Sequence, residues 1–487
     1  MEKITPAKAG VRKQDLEALL DVFKRHCINT HSILMSRGGK LFFEQYWDPF
    51  TSDRPHRMYS VTKSFVSIAV GCLYDEGKIN LDDPIIQYFP DKLPENVPEE
   101  LQEQTIRHML TMCTCFAGIN WFKPEVNDRL AYYFAAKPVR PAGTIFDYDS
   151  TGSYVLGCLV ERVCGMRLLD YLKLKVLNHI GGFENAEMLE TPDGTPWGDS
   201  ALLATPRALM NFARFVMQRG VWEGKRLMSE DYLQQATTKQ TDNNLLGGYN
   251  YCRFGYGYQI WMTEQGGFAF NGMGGQFAIC VPEKDFIFVC TCDNQLNDPF
   301  CSPVIFNSVF RCIVDNLCNE ELPEETPIAL GETKLPVCHG EKNSPFFKQI
   351  SGCWYACKEN PMGISRFSLD FVSEEEGVFT FYNKQGEKKL PFGMKKNIFT
   401  LFPQFGYSDQ RGNVHEVTDF RYQCAVSAGW VEEKKLQIKV QIIDRYFANL
   451  IITIGFRDLD TVGICMNKCA EDFLNEYQGW LGAKRIK

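Results

Sequence analysis

A chain of 487 residues is too long for one ordinary domain and predicts two or three. Its apolar fraction of 45% and charged fraction of 23% exclude a disordered or fibrous chain. A net charge of -8, with no dense Lys/Arg cluster, argues against a nucleic-acid partner. The segment Met1 to Pro6 has no apolar signal core, and no run approaches about 18 uninterrupted apolar residues, so the chain reads as cytoplasmic with no membrane partner. Nineteen cysteines are present. The close pairs Cys113/Cys115 and Cys290/Cys292 have one intervening residue, where a zinc knuckle has two. In a cytoplasmic chain they read as buried, reduced thiols, and neither metal nor cofactor is expected.

Residues 11 to 26 carry apolar positions at helical spacing and predict an opening amphipathic helix. Two β-rich runs around Arg37-Gly38-Gly39-Lys40 predict a hairpin. From Ser60 to about Glu76 the pattern is helical and strongly apolar, closed by Gly77, and 101 to 115 and 150 to 175 also read as helices. Thr205 to Gly220 has a Thr cap, Pro at the first helical position and Gly after the last. Three runs after Gly247 (254–262, 268–282 and 285–293) predict an antiparallel meander, followed by a helix from Pro303 to about Cys318. Strands with helices before, between and after them fit an α/β (α+β) sandwich, an antiparallel sheet flanked by helices with an all-helical subregion. Pro, Glu and Gly then accumulate around 319 to 344 and mark a linker. Short β-rich runs from there to about 465 predict a separate antiparallel barrel or sandwich, with a short helix near 469 to 481. The expected division is 1–325, a linker over 326–344, and a C-terminal β domain over 345–487.

Three segments carry chemistry. In Met58-Tyr-Ser-Val-Thr-Lys-Ser-Phe65, Ser60 and Lys63 are three apart, so on a helix their side chains share one face. A serine hydroxyl is a weak nucleophile that needs a base at hand, and an amine serves where its surroundings favour the neutral form. The first turn of a helix also favours negative charge on a nearby oxygen. A Ser-x-x-Lys arises by chance about once in such a chain. Here a polar loop with Arg54 and Arg57 leads in and an apolar helix follows, which places the pair at the mouth of a buried site.

The second segment, Gly143 to Gly152, is a polar loop entering a helix. There Tyr148 either points a phenol at the Ser/Lys pair or simply packs, while Asp149, Ser150 or Thr151 caps the helix. The third, Phe270-Asn-Gly-Met-Gly-Gly-Gln276, holds glycines in a strand context. They mark either a β-bulge or a close backbone approach, where Gly272 or Met273 would add an N–H to an oxyanion hole beside the N–H of Ser60.

Together, in this order, the three segments resemble the active-site motifs of serine β-lactamases and penicillin-binding proteins. They are most similar to the class C-like branch with esterases, D-aminopeptidases and 6-aminohexanoate-dimer hydrolases. Phe146 to Gly152 and Gly272 to Gln276 are similar to the last group, as are stretches near 201–220, 254–262 and 281–289, and the resemblance covers about residues 10 to 320. It implies a β-lactamase-like fold, with Ser60 as acylated nucleophile, Lys63 as general base and Tyr148 as second acid/base. Backbone groups of Ser60 and of Met273 or Gly272 would form the oxyanion hole. Ser150, Asn271, Gln276, Tyr59 and Trp121 would bind substrate. Two positions depart from the family pattern: the usual Asn of the second motif is Ser150, and no Lys or His stands among Asn271, Gly272 and Met273, which speaks against penicillin turnover. The other aromatics near the motifs (Tyr251, Tyr256, Trp261) read as core, some lining a pocket, and His56 and His108 as loop and helix residues. The expected activity is hydrolysis of a small ester, amide or peptide. The alternatives are acyl transfer from the same acyl-enzyme, or a non-catalytic member that binds an acyl ligand. A homo-oligomer is possible on this reading.

Overall fold

A computed structural model describes residues 1–119, 126–191, 193–244, 253–297, 301–404, 421–470 and 474–486. The chain forms two compact units, one over Met1–Lys334 and one beginning at Leu335.

The first unit is built on a six-stranded antiparallel sheet. Helix α1 (Lys13–Arg25) precedes strands β1 (Thr30–Arg37) and β2 (Lys40–Tyr46), which form the hairpin expected around Gly38-Gly39. Later come β3 (His56–Arg57), α2 (Thr62–Asp75), α3 (Ser150–Cys164), β4 (Leu202–Ala204) and α4 (Pro206–Met217). Strands β5 (Trp261–Met262), β6 (Phe268–Gly272), β7 (Gln276–Val281) and β8 (Phe286–Cys292) then complete the sheet, followed by α5 (Cys301–Ser308). The sheet order is β2-β1-β8-β7-β6-β5, so the predicted meander forms and β8 closes against β1. β7 and β8 are buried along their whole length, as strands covered on both faces must be. One face carries Leu16, Leu19 and Phe23 of α1 with Ile305 and Phe306 of α5, packed on Phe277, Ile279 and Phe288. On the other face Phe212 of α4 meets Phe270 of β6 at 5.3 Å and stacks on Phe65 of α2 at 3.6 Å. That contact presses α2 against the sheet through a shared aromatic layer.

Three predicted elements of this unit are shorter than the pattern suggested, and one is the helix expected over 150 to 175, since α3 ends at Cys164 where Gly165 turns left-handed (φ +70°). The expected helix over 101 to 115 is two short pieces, Glu99–Gln102 and Ile106–Leu110. Thr105 breaks it by capping the second, its side chain accepting from His108 N while Thr105 N donates to His108 Nδ1. The run 254–262 pairs in the sheet only at Trp261–Met262, because Gly255 (φ +111°) and Gln259 (φ +56°) bend the backbone before it.

The second unit is an antiparallel barrel of ten strands. They are β9 (Trp354–Cys357), β10 (Arg366–Phe371), β11 (Glu376–Asn383), β12 (Gly386–Met394), β13 (Ile398–Leu401), β14 (Gln423–Glu432), β15 (Lys435–Ile443), β16 (Phe447–Phe456), β17 (Thr461–Cys469) and β18 (Gly479–Arg485). The order is β12-β11-β10-β9-β18-β17-β16-β15-β14-β13, and a short parallel pairing of β12 with β14 curls the sheet back on itself. Among the described residues of the span 469 to 481, where a short helix was expected, a 3-10 turn, Asn475–Tyr477, leads into β18, which pairs with both β17 and β9. Leu481 and Ala483 point inward while Trp480 is 75% exposed, a period of two that a helical reading of this glycine-bearing segment could not satisfy. Part of the predicted linker also packs in this unit, where Cys338 N donates to Ser427 Oγ at 2.9 Å.

Candidate active site

The first motif lies where a strand becomes a helix. β3 pairs with β4 through His56↔Ala204 and Arg57↔Leu203, and Met58 N donates to Leu202 O at 2.8 Å. The chain then turns at Tyr59, whose φ of +46° is left-handed, and passes through a 3-10 turn (Tyr59–Val61) into α2. A bulky residue in that region costs about 1–3 kcal/mol and persists only where its surroundings dictate it. Here the ring is 2% exposed, with the Arg57 guanidinium 4.9 Å from its centre and Gln295 Nε2 donating to Tyr59 Oη at 3.5 Å. The turn presents Ser60, half-buried, one helical turn from Lys63.

Lys63 Nζ donates to Ser60 Oγ at 2.9 Å and to Asp199 O at 2.8 Å. Its side chain is buried at 1% exposure, so the two acceptors fix the amine without help from bulk water. The ring centre of Tyr148 stands 5.1 Å from the same nitrogen. Tyr148 also stacks on Trp261 at 5.4 Å and 26°, and Trp261 meets Tyr256 edge-on at 5.0 Å. Tyr148 therefore packs and also overlies the Lys63 amine. The cap of α3 falls to Asp149, whose Oδ1 accepts from Thr151 N at 2.9 Å and Oδ2 from Thr114 Oγ1 at 3.1 Å. The adjoining Tyr148 backbone is held by that cap.

Gln259 links the two motifs, and nothing in its sequence context singled it out beyond being polar within an apolar run. It is 2% exposed. Its carbonyl accepts from Ser64 Oγ at 2.8 Å, its Oε1 from Ser153 Oγ at 2.6 Å, and its Nε2 donates to Met109 O at 2.8 Å. One residue thereby ties the start of α2 to the start of α3.

The third motif is the β6–β7 hairpin. Gly275 N donates to Gly272 O at 3.2 Å, and Gly274 and Gly275 have φ of +78° and +97°. Gly272 lies hard against the Ser60 turn: a Cβ there would stand 2.4 Å from Met58 O and 3.3 Å from Val61 Cγ2. This is a close backbone approach, one of the two readings the glycines allowed. Gln276, expected to contact substrate, is instead fully buried beneath the hairpin. Its Nε2 donates to Met273 O at 2.9 Å and Cys292 O at 2.7 Å, and its Oε1 accepts from Cys292 N at 3.2 Å, which commits the amide to holding the turn. Asn271, Met273 and Ser150 are half-buried, and Tyr59 is almost wholly enclosed. Trp121 and Tyr251 lie outside the described residues.

His56, expected on a loop, sits in β3. Its Nε2 meets His31 Nδ1 at 2.8 Å and its Nδ1 meets Arg57 O at 3.0 Å, while burial pushes its pKa down to about 3. Among the described residues, no group of three or more His, Cys, Asp or Glu could hold a metal ion, and no helix is long and apolar enough to cross a membrane.

Residues 16–300, more than half of the chain, match the family model described as Beta-lactamase. Over 309 residues the chain is 24% identical to 6-aminohexanoate-dimer hydrolase from Paenarthrobacter ureafaciens, covering 58% of this chain and 78% of that protein. Its fold resembles that of a family VIII carboxylesterase with a TM-score of 0.51 and 17% identity, covering 64% of this chain and 99% of that one. It also resembles the octameric penicillin-binding protein homologue from Pyrococcus abyssi, with a TM-score of 0.50 and 16% identity, covering 97% of this chain and 99% of that one. With a β-lactamase-type sheet and helices carrying these motifs in order, the chain belongs to the beta-lactamase family.

Proposed function

We propose that the protein hydrolyses a small ester or amide through an acyl-enzyme on Ser60. The observation that carries this reading is the buried amine of Lys63, held at 2.9 Å from the Ser60 hydroxyl beneath the ring of Tyr148. In its neutral form that amine takes the hydroxyl proton as the oxygen attacks a carbonyl carbon. The tetrahedral oxyanion is then stabilised by the backbone N–H of Ser60 and one from Gly272 or Met273. Tyr148 or Lys63 returns the proton to the leaving alcohol or amine, and water, deprotonated by the same groups, releases the acid.

The substrate class follows from what this relative acts on and from what the motif lacks. The matched relative is named for a 6-aminohexanoate dimer, a linear amide. No lysine or histidine occupies 271–273, so that stretch offers no cation to a β-lactam carboxylate. Ser150, Asn271 and Tyr59 remain candidates for lining the acyl or leaving-group side. Most of the described cysteines are buried, as small apolar side chains are, and the compartment we propose is a reducing one such as the cytoplasm. The octameric relative spans both units of this chain, which supports an assembly of several copies here, measurable by light scattering on the eluting protein.

The test is turnover of a panel of p-nitrophenyl esters, linear amides and a chromogenic cephalosporin, with and without an added amine. The proposal expects ester or amide turnover that Lys63→Met abolishes, and little cephalosporin turnover. Release of an aminolysis product in place of the acid would assign acyl transfer. Tight binding of acyl ligands with no turnover of any ester or amide would make the protein a binding member of the fold and refute the proposal.

A further inference from the structure

We propose that Arg57 is a positioning residue for acylation, a buried cationic clamp that sets the Ser60–Lys63 geometry. The inference rests on the proposed acyl-enzyme chemistry and adds to it a residue that the Ser/Lys/Tyr motifs do not contain. Arg57 is 0% exposed, unusual for arginine, and its guanidinium lies between two aromatic rings, 4.9 Å from the centre of Tyr59 and 4.9 Å from that of Trp197. Its Nε donates to Ser200 O at 3.0 Å.

Each of these three contacts meets one side of the reacting pair. Tyr59 immediately precedes Ser60 and has a left-handed φ of +46°, so the plane that packs on its ring helps hold the strained backbone presenting the nucleophile. Ser200 O is the carbonyl next to Asp199 O, and Asp199 O accepts from Lys63 Nζ at 2.8 Å. Trp197 begins the same 197–200 segment. One side chain thus fastens the backbone before Ser60 to the backbone that anchors Lys63. The neighbouring bonds join the same two segments further along the chain: β3 pairs with β4, Met58 N donates to Leu202 O, and Leu202 N donates to Thr62 Oγ1. None of those touches the 199–200 carbonyls. The arrangement needs a planar cation with a donor at Nε, which lysine does not supply.

The cost of slackening this clamp falls on the attack distance. Misplacing a reacting group by about 1 Å costs on the order of 10²-fold in rate. Substrate contacts outside the clamp are untouched, so the loss appears in the acylation rate and not in affinity.

The test uses the full chain and a p-nitrophenyl ester, with every rate divided by the number of active sites titrated to completion with a fluorophosphonate. That correction removes any loss of folded protein. For Arg57→Met, the proposal expects the burst-phase acylation rate constant at saturating ester, per titrated site, to fall at least tenfold, with the half-saturating ester concentration of the burst within twofold. Arg57→Lys is expected not to restore the acylation rate, and Trp197→Leu, which removes one face of the sandwich, to lower it in the same direction. If Arg57→Met cannot be purified folded, Arg57→Lys and Trp197→Leu carry the test alone. Variants whose rate per titrated site stays within twofold of the parent would overturn the proposal even if their melting temperatures drop. A parent protein that the fluorophosphonate leaves unlabelled would overturn the acyl-enzyme reading itself, and this inference with it.

Discussion

Gly272→Ala tests how closely strand β6 approaches the nucleophile. The added Cβ would stand 2.4 Å from Met58 O, with Gln276 Cβ at 3.1 Å and Val61 Cγ2 at 3.3 Å. An ordinary carbon–oxygen contact begins near 3.4 Å, so β6 and the Met58–Val61 turn must separate by about 1 Å. Neither side yields easily: β6 is paired with both β5 and β7, and Met58 N is bonded to Leu202 O. Overpacking of this kind costs roughly 1–3 kcal/mol of stability. The larger effect is expected on chemistry, because in the proposed oxyanion hole Ser60 and the Gly272–Met273 backbone would flank the same carbonyl, and a shift of about 1 Å between them costs on the order of 10²-fold in rate. The assay is burst kinetics with a p-nitrophenyl ester on titrated sites, beside a thermal melt. A Gly272→Ala protein that acylates within threefold of the parent would show that the 272–273 backbone has no part in the oxyanion hole.

Three further outcomes are expected. Tyr148→Phe keeps the stack on Trp261 but loses the hydroxyl, and should lower turnover by roughly 10²–10⁴-fold, more with an amide than with a p-nitrophenyl ester whose leaving group needs little protonation. Equal losses on both substrates would remove Tyr148 from the proton path. Gln276→Leu strips three hydrogen bonds from the hairpin and from β8, leaving buried backbone groups unmet at about 1–3 kcal/mol each. Urea unfolding should show a lower midpoint, and an unchanged midpoint would contradict the buried assignment. His56 is held neutral in the fold, with its pKa pushed from 6.5 to about 3 by burial. The unfolded chain therefore takes up a proton that the native one refuses as pH falls from 6.5 toward 3, and stability drops across that window. His56→Asn should flatten this slope relative to the parent, and an identical slope in both proteins would show that His56 does not cause it.

The parts of the site that the sequence made readable are those set by local spacing. Ser60 and Lys63 meet because three residues make about one turn, and α3 begins where Asp149-Ser-Thr offered a cap. The meander from β5 to β8 followed from the succession of β-rich runs, whereas the closure of β8 against β1 is a distant pairing that no run records. What stayed hidden depends on backbone groups and distant pairings. Asp199 meets Lys63 through its carbonyl, which any residue type would supply. Gln276 sits in sequence beside the glycines of a motif expected to face substrate, yet its neighbours in β8 draw its amide inward, and no local pattern records that bond. Arg57 looked like one cation of a polar loop until Trp197, 140 positions away, closed over it. At the C-terminus, Leu474 to Leu481 supplied too few positions to separate period two from period 3.6, and pairing with β9 and β17 decided it.

The account turns on one bond forming at one oxygen. Peptide mapping of the protein after brief exposure to a p-nitrophenyl ester and acid quench should find the acyl group on Ser60, at close to one per chain, and none on Ser60→Ala. Acylation of Lys63, Tyr148 or a cysteine while Ser60 stays unmodified would contradict it.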